Sequence, residues 1–181
     1  MSAVVSAVVS AVVARPEAGE YTPYYGTYVG KVPDGDVREL LRSQLPKTIE
    51  LISSFSEEKA SVGYGPGKWT LKEVLLHIAD AERVFSYRML RIGRGDTTPL
   101  PGFDQDPWVL TSHANDRSLP SLLAEYQAVR AATLALVDSL SVEAWLRKGT
   151  ASDHPISARA LGYICAGHEL HHVQLIRERY V

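Results

Sequence analysis

Apolar residues recur at three- and four-residue intervals over four separate stretches of the chain, and that spacing places one apolar stripe on each of four helices. The first stretch follows Asp36, a capping residue, and sets Val37, Leu40, Leu41, Leu45, Thr48, Leu51, Ile52 and Phe55 on one face. Pro46 falls inside it and lacks an amide donor, so a kink near Arg42 or a division into two helices is expected. The second stretch opens on Thr70-Leu71-Lys72-Glu73, a capping box in which the threonine hydroxyl meets the amide of the glutamate and the carboxylate reaches back. Its stripe is Leu71, Val74, Ile78, Ala81, Phe85, Met89 and Ile92, with His77 at the edge. The third begins at Ser118 and Pro120 and carries Leu122, Leu123, Tyr126, Val129, Thr133, Leu136, Val137 and Leu140. Ser157 caps the fourth, which runs nearly to the C-terminus.

The intervening segments read differently. Ser56 to Lys68 is polar, then glycine-rich, and ends in a Gly65-Pro66-Gly67 turn. Gly93 to Arg117 has three prolines and no clear periodicity, and so long a connection inside a domain is usually functional or mobile. Ser141 to Leu146 predicts one short helical turn around Trp145, and Lys148 to Pro155 reads as a loop. Beyond the N-terminal arm nothing alternates convincingly with period two. The expected fold class is therefore all-α, a four-helix bundle.

Residues 1–14 and 15–35 stand apart from this bundle of residues 36–181. Ser2 to Val13 is Ser-Ala-Val-Val three times over. It is apolar but too short to span a bilayer, and its first basic residue, Arg15, lies after it rather than before, so it predicts a low-complexity tail rather than a membrane anchor or export signal. Residues 15–35 hold three prolines, four glycines and four tyrosines, which predicts an extended arm laid over the domain through its rings. Net charge is −2, with no basic cluster, so neither nucleic acid nor an acidic membrane surface is an expected partner. Cys165 is the only cysteine, which excludes an internal disulfide and suits a cytoplasmic location.

The candidate chemistry lies in Gly167-His168-Glu169-Leu170-His171-His172. His168 and His172 are four apart, about one helical turn, and both fall mid-stripe on the fourth helix, where a buried imidazole needs a partner. His171 falls on the flank and Glu169 at the opposite margin, where it is expected to face solvent. Two imidazoles rarely hold a metal alone, and His77 is the helical candidate for a third ligand; His113 and His154 read as surface residues, and Cys165 as a buried apolar cysteine. Three neutral imidazoles with an open position suit zinc, nickel or iron(II). The open position holds water acidified to a pKa of about 7, or a thiol held as thiolate, so the reacting group is the metal-bound one rather than a side chain. Glu73 and Asp80, one turn either side of His77, are candidates to orient it, against a plainer reading as surface partners of Arg83 or Arg88. The string also satisfies H-E-x-x-H, the zinc peptidase pattern. No substrate-aligning sheet is predicted, however, and no His, Asp or Cys follows His172 to complete such a site.

Taken together, the motifs resemble those of the DinB-like family of metal-binding four-helix bundles, which includes the YfiT-like thiol transferases. The resemblance covers about residues 16–180. It is carried by Gly67-Lys68-Trp69-Thr70-Leu71-Lys72-Glu73 leading to His77, Asp80-Ala81-Glu82-Arg83, Arg94-Gly95-Asp96, Leu100-Pro101-Gly102-Phe103-Asp104 and Ala166-Gly167-His168-Glu169-Leu170-His171-His172. It implies a bundle with a long crossover connection, a divalent metal ion held by His77, His168 and His172, His171 as the alternate ligand, and a homodimer. It also implies a small-molecule substrate, with bacillithiol or mycothiol as a possible thiol cofactor. The leading expectation from sequence is metal-dependent thiol S-transfer. Hydrolysis by metal-bound hydroxide and a non-enzymatic metal-binding stress protein are the alternatives.

Overall fold

All four predicted stripes form helices. The structure is a computed structural model and describes residues 12–181; the Ser-Ala-Val-Val repeat lies almost wholly outside the described residues. In chain order the elements are α1 (Gly26–Val29), α2 (Val37–Ser53), α3 (Glu57–Ala60), α4 (Leu71–Gly93), α5 (Gln105–Thr111), α6 (Leu119–Asp138), α7 (Val142–Leu146), strands β1 (Lys148–Ala151) and β2 (His154–Ser157), and α8 (Ala158–Arg179). The caps that start the long helices are the expected ones. Asp36 accepts from the Arg38 amide, Thr70 and Glu73 close both bonds of the capping box, and Ser118 and Ser157 each accept from the amide three residues on.

The long helices α2, α4, α6 and α8 form the bundle, α4 packing on α6 and α8, and α2 on the same two from the other side. Consecutive long helices α2 and α4 therefore stand on a diagonal. Contacts give the directions. Arg83 reaches Glu125, Arg130 reaches Glu82, and Arg94 reaches Ser139, so α4 and α6 run parallel. Gln44 bonds the Ala166 carbonyl and Thr48 bonds Glu169, so α2 and α8 also run parallel. A parallel neighbour cannot be reached by a short turn, so residues 94–118 must return along the length of the bundle; this is the crossover. It is not wholly irregular, since it contains α5 and a 3₁₀ turn at Ala114–Asp116.

Three local expectations need correction. Pro46 does not divide α2, which runs unbroken from Val37 to Ser53. Gln44 and Thr48 on either side of the proline both hydrogen-bond α8, which ties both halves of α2 to the same neighbour. Residues 148–155 are not a loop: β1 and β2 pair antiparallel, with Ala151 opposite His154 and Lys148 opposite Ser157. Four-residue strands are too short to show a pattern, and the turn residues Ser152 and Asp153, at φ 52° and 63°, are not the Asn-Gly expected there. The hairpin is held by its neighbours: the Leu100 amide donates to the Thr150 carbonyl and the Ser152 amide to the Leu100 carbonyl. The arm, finally, is a series of short helical turns ending in α1, rather than extended. Among the described residues no helix is long and apolar enough to cross a membrane.

Candidate metal centre

His77 projects from α4, and His168 and His172 project from α8, into the space between the two helices. The three side chains are buried and form a group whose ligating atoms lie within 4.8 Å of one another. The Nε2 atoms of His77 and His168 are 3.0 Å apart, and those of His172 and His168 are 3.2 Å apart. Burial, and secondarily the charge at His171, lowers the His77 imidazole to about 4. Burial and the neighbouring imidazoles hold His168 and His172 well below their ordinary range. All three are thus neutral at pH 7 and offer lone pairs.

These residues fit a metal ion. A single Nε2 carries either one lone pair or one proton in its ring plane, so His168 cannot form in-line hydrogen bonds with both neighbours at once. A cation satisfies all three together. Ligands on a tetrahedral zinc with bonds of about 2.0 Å stand about 3.3 Å apart, within a few tenths of the spacing here. His172 Nδ1 is buried without a partner, which leaves that ring oriented by packing alone.

The other sequence candidates lie elsewhere. His171 is half-exposed, packs edge-on against Tyr28 at 5.6 Å, and is not among the three convergent histidines. Glu73 is engaged by the Thr70 amide at 2.7 Å and Asn115 Nδ2 at 3.0 Å, and Asp80 by Arg83 at 2.8 Å, so neither carboxylate is bonded to His77. For Asp80 the surface-pair reading is the one the structure displays. His113 and His154 are exposed, and Cys165 is buried, its thiol pushed up by burial and by Glu82.

Glu169 is the largest correction. It is 1% exposed rather than solvent-facing. Its Oε1 accepts from Tyr126 Oη at 2.7 Å and Thr48 Oγ1 at 2.5 Å, and its Oε2 pairs with Arg130. Arg130 in turn forms two 2.8 Å bonds to Glu82 and one to the Leu41 carbonyl. A single apolar stripe made Glu169 a margin residue, but α8 is enclosed by α1, α2 and α4 together, so its margins are interior. The carboxylate is tied away from the histidines' Nε2 atoms, and the peptidase reading of H-E-x-x-H loses its base. Arg130 and Glu82 did carry a signal in sequence: Arg130 lies four residues after Tyr126 on the core stripe, where a charged residue requires a buried counterpart.

Above the histidines lies a cleft of about 290 Å³, walled by Tyr24, Tyr25, Tyr28, Trp69, Phe85 and Phe103, with Ala81, Gln105 and Ser152 between them. Among the described residues no Asp, Glu, Lys or Arg lines it. A larger cavity of about 500 Å³ lies beside Arg38, Trp145 and Arg159, but it contains none of the histidines, so chemistry rather than size singles out the smaller one. Gly167 permits the tyrosine wall. A Cβ there would lie 2.1 Å from the Tyr28 carbonyl oxygen, so only glycine lets α1 touch α8 beside His168.

The model of the DinB superfamily matches residues 40–176, a span that takes in α4 and α6, most of α2 and α8, and all three histidines. The chain belongs to the DinB superfamily. Among solved structures, this DinB chain is similar to YfiT of Bacillus subtilis, described as a probable metal-dependent hydrolase with an unusual four-helix bundle topology. The TM-score is 0.66 at 18% identity, covering 92% of this chain and 97% of that one. At that identity the likeness shows the shared DinB fold. The chain is also 29% identical over 89 residues to a protein of Oceanobacillus iheyensis whose name proposes a metal-dependent hydrolase. That match takes in 47% of this chain and spans about half, 51%, of the curated relative.

Proposed function

We propose that this DinB-superfamily chain binds one divalent metal ion through His77, His168 and His172 and uses it to hydrolyse a small-molecule substrate. The observation that carries the reading is the convergence of three neutral imidazoles at the base of an aromatic cleft. The metal-dependent hydrolase descriptions of the two relatives support it. A bound divalent ion supplies Lewis acidity, polarising a carbonyl and acidifying a nucleophile. The chain's own residues do the rest. The aromatic wall excludes water and packs the substrate, and Tyr28, whose phenol burial pushes above its ordinary range, stays a neutral hydrogen-bond donor. Zinc, nickel and iron(II) all suit the donor set.

A second reading, thiol S-transfer from bacillithiol or mycothiol, is favoured by one feature: the cleft lining contains no carboxylate base. Activation then falls to the metal, and a thiol is more acidic than water before any help. Metal analysis of the purified protein, followed by ester and amide turnover with and without added thiol, separates the two. The hydrolase reading expects about one ion per chain, loss of the ion in His77→Ala and His168→Ala, and turnover without thiol. Metal-loaded protein that is inert toward esters and amides, yet active once a thiol and an electrophile are supplied, would establish the second reading instead.

A further inference from the structure

Among the described residues two arginines are buried, Arg88 and Arg130, and they have opposite surroundings. Arg130 faces two carboxylates. Arg88, 2% exposed, has only neutral partners: Nη2 donates to the Pro101 carbonyl at 2.5 Å and to Ser152 Oγ at 3.1 Å, and the guanidinium lies 5.5 Å above the Phe103 ring. Its Nη1 is buried with no partner at all. A buried charge left without a counterion is costly, and a packing role alone would not call for one.

Its position supplies a reason. Ala81 and Phe85, on the same face of α4 as Arg88, lead from His77 along the cleft wall to Phe103 and Ser152. Arg88 lies directly behind those last two. Ser152 accepts from Arg88 through its oxygen, so its own proton is free to point into the cleft. The hairpin takes some trouble to present it. Ser152 is a non-glycine residue at φ 52° in a turn that favours Asn-Gly.

We propose that Ser152, with Arg88 charging it from behind, is a binding site for a carboxylate on the substrate. The inference rests on the hydrolase reading for what happens at the histidines, but not for the binding itself. One hydroxyl donor and one positive charge match a carboxylate monoanion better than a phosphate, which needs more donors. Ser152 touches the substrate, and Arg88 is a positioning residue.

Calorimetric titration of the full chain with benzoate and with its neutral isostere benzamide tests this, on zinc-loaded and on chelator-treated protein. The expected result is a preference for benzoate of about tenfold, from one charge-assisted hydrogen bond, present in both preparations. Ser152→Gly, which relieves the positive φ while removing the hydroxyl, abolishes the preference at unchanged zinc content. Arg88→Gln abolishes it too, and Arg88→Lys keeps part of it. Equal binding of the two ligands by the wild type overturns the proposal. So does a preference that survives Ser152→Gly and vanishes with the metal, because the ion itself is then holding the carboxylate. A chain that takes up no zinc would defeat the hydrolase reading, and the chelator-treated comparison would still decide this one.

Discussion

Replacing Gly167 by alanine adds one methyl group where the structure has no room for it. The new Cβ would lie 2.1 Å from the Tyr28 carbonyl oxygen and 2.5 Å from its carbon, and both are backbone atoms that no rotamer change can move. Relief requires α1 to withdraw from α8 by about 1 Å, which overpacking studies place at roughly 2–3 kcal/mol. Alanine returns about 1 kcal/mol through its better helix propensity in α8. The net loss is about 1–2 kcal/mol, or roughly 2–8 °C in Tm for a chain of this size. Gly26→Ala is the matched control, because a Cβ there meets nothing within 4 Å although it lies in α1 itself. Thermal unfolding by circular dichroism measures the loss, and limited proteolysis at Lys31 reports whether the arm has lifted. The metal should still bind, since the three histidines come from α4 and α8, while the tyrosine wall of the cleft opens. A Gly167→Ala protein that melts at or above the wild-type temperature with an equally protected arm would refute the close approach.

Arg130→Met leaves Glu82 and Glu169 buried without their cation and should destabilise the fold by about 3–5 kcal/mol in urea titrations; Glu169→Gln should cost less and retain turnover, and loss of turnover in a folded Glu169→Gln protein would restore the carboxylate as a base. Burial raises the Glu20 carboxyl, but the bonds from Arg159 and Ser157 outweigh it and lower it from 4.5 to about 2. Because the folded value is the lower one, its contribution of about 3 kcal/mol is complete above pH 4.5 and is lost between there and about pH 2. The stability gap between wild type and Glu20→Gln should therefore close as pH falls through that window, and a constant gap would count against the ion pair. Saturating zinc at a hundredfold excess over its dissociation constant should stabilise the wild type by about 2.7 kcal/mol and His77→Ala hardly at all, as read by calorimetry with and without chelator.

The parts of the molecule that could be read from its sequence are those in which a local pattern decides the outcome. Four stripes and four caps place the long helices, and helical phase alone turns His168 and His172 inward. What escaped depended on partners remote in sequence. Glu169 falls at the margin of a wheel drawn for one stripe, and such a wheel takes no account of a helix enclosed on three sides. The 148–157 hairpin escaped because Leu100, not its own residues, completes its bonding. Arg88 and Arg130 both lie on stripes otherwise apolar, at Phe85-Arg88-Ile92 and Tyr126-Arg130-Thr133, and a charge at such a position is a legible sign even when its partner is not.

The place of α8 after the other three long helices bears on how the bundle is made. This helix supplies two of the three convergent histidines and one of the two carboxylates that meet Arg130, and α1, α2 and α4 all pack on it. His77 waits 91 residues for His168. During synthesis, then, the first three long helices emerge with their shared apolar interior uncovered and with Arg130 lacking half its counter-charge. Until α8 emerges the partly made bundle exposes apolar surface of the kind that chaperones protect. A metal ion would find all three histidines together only once α8 has joined the other long helices.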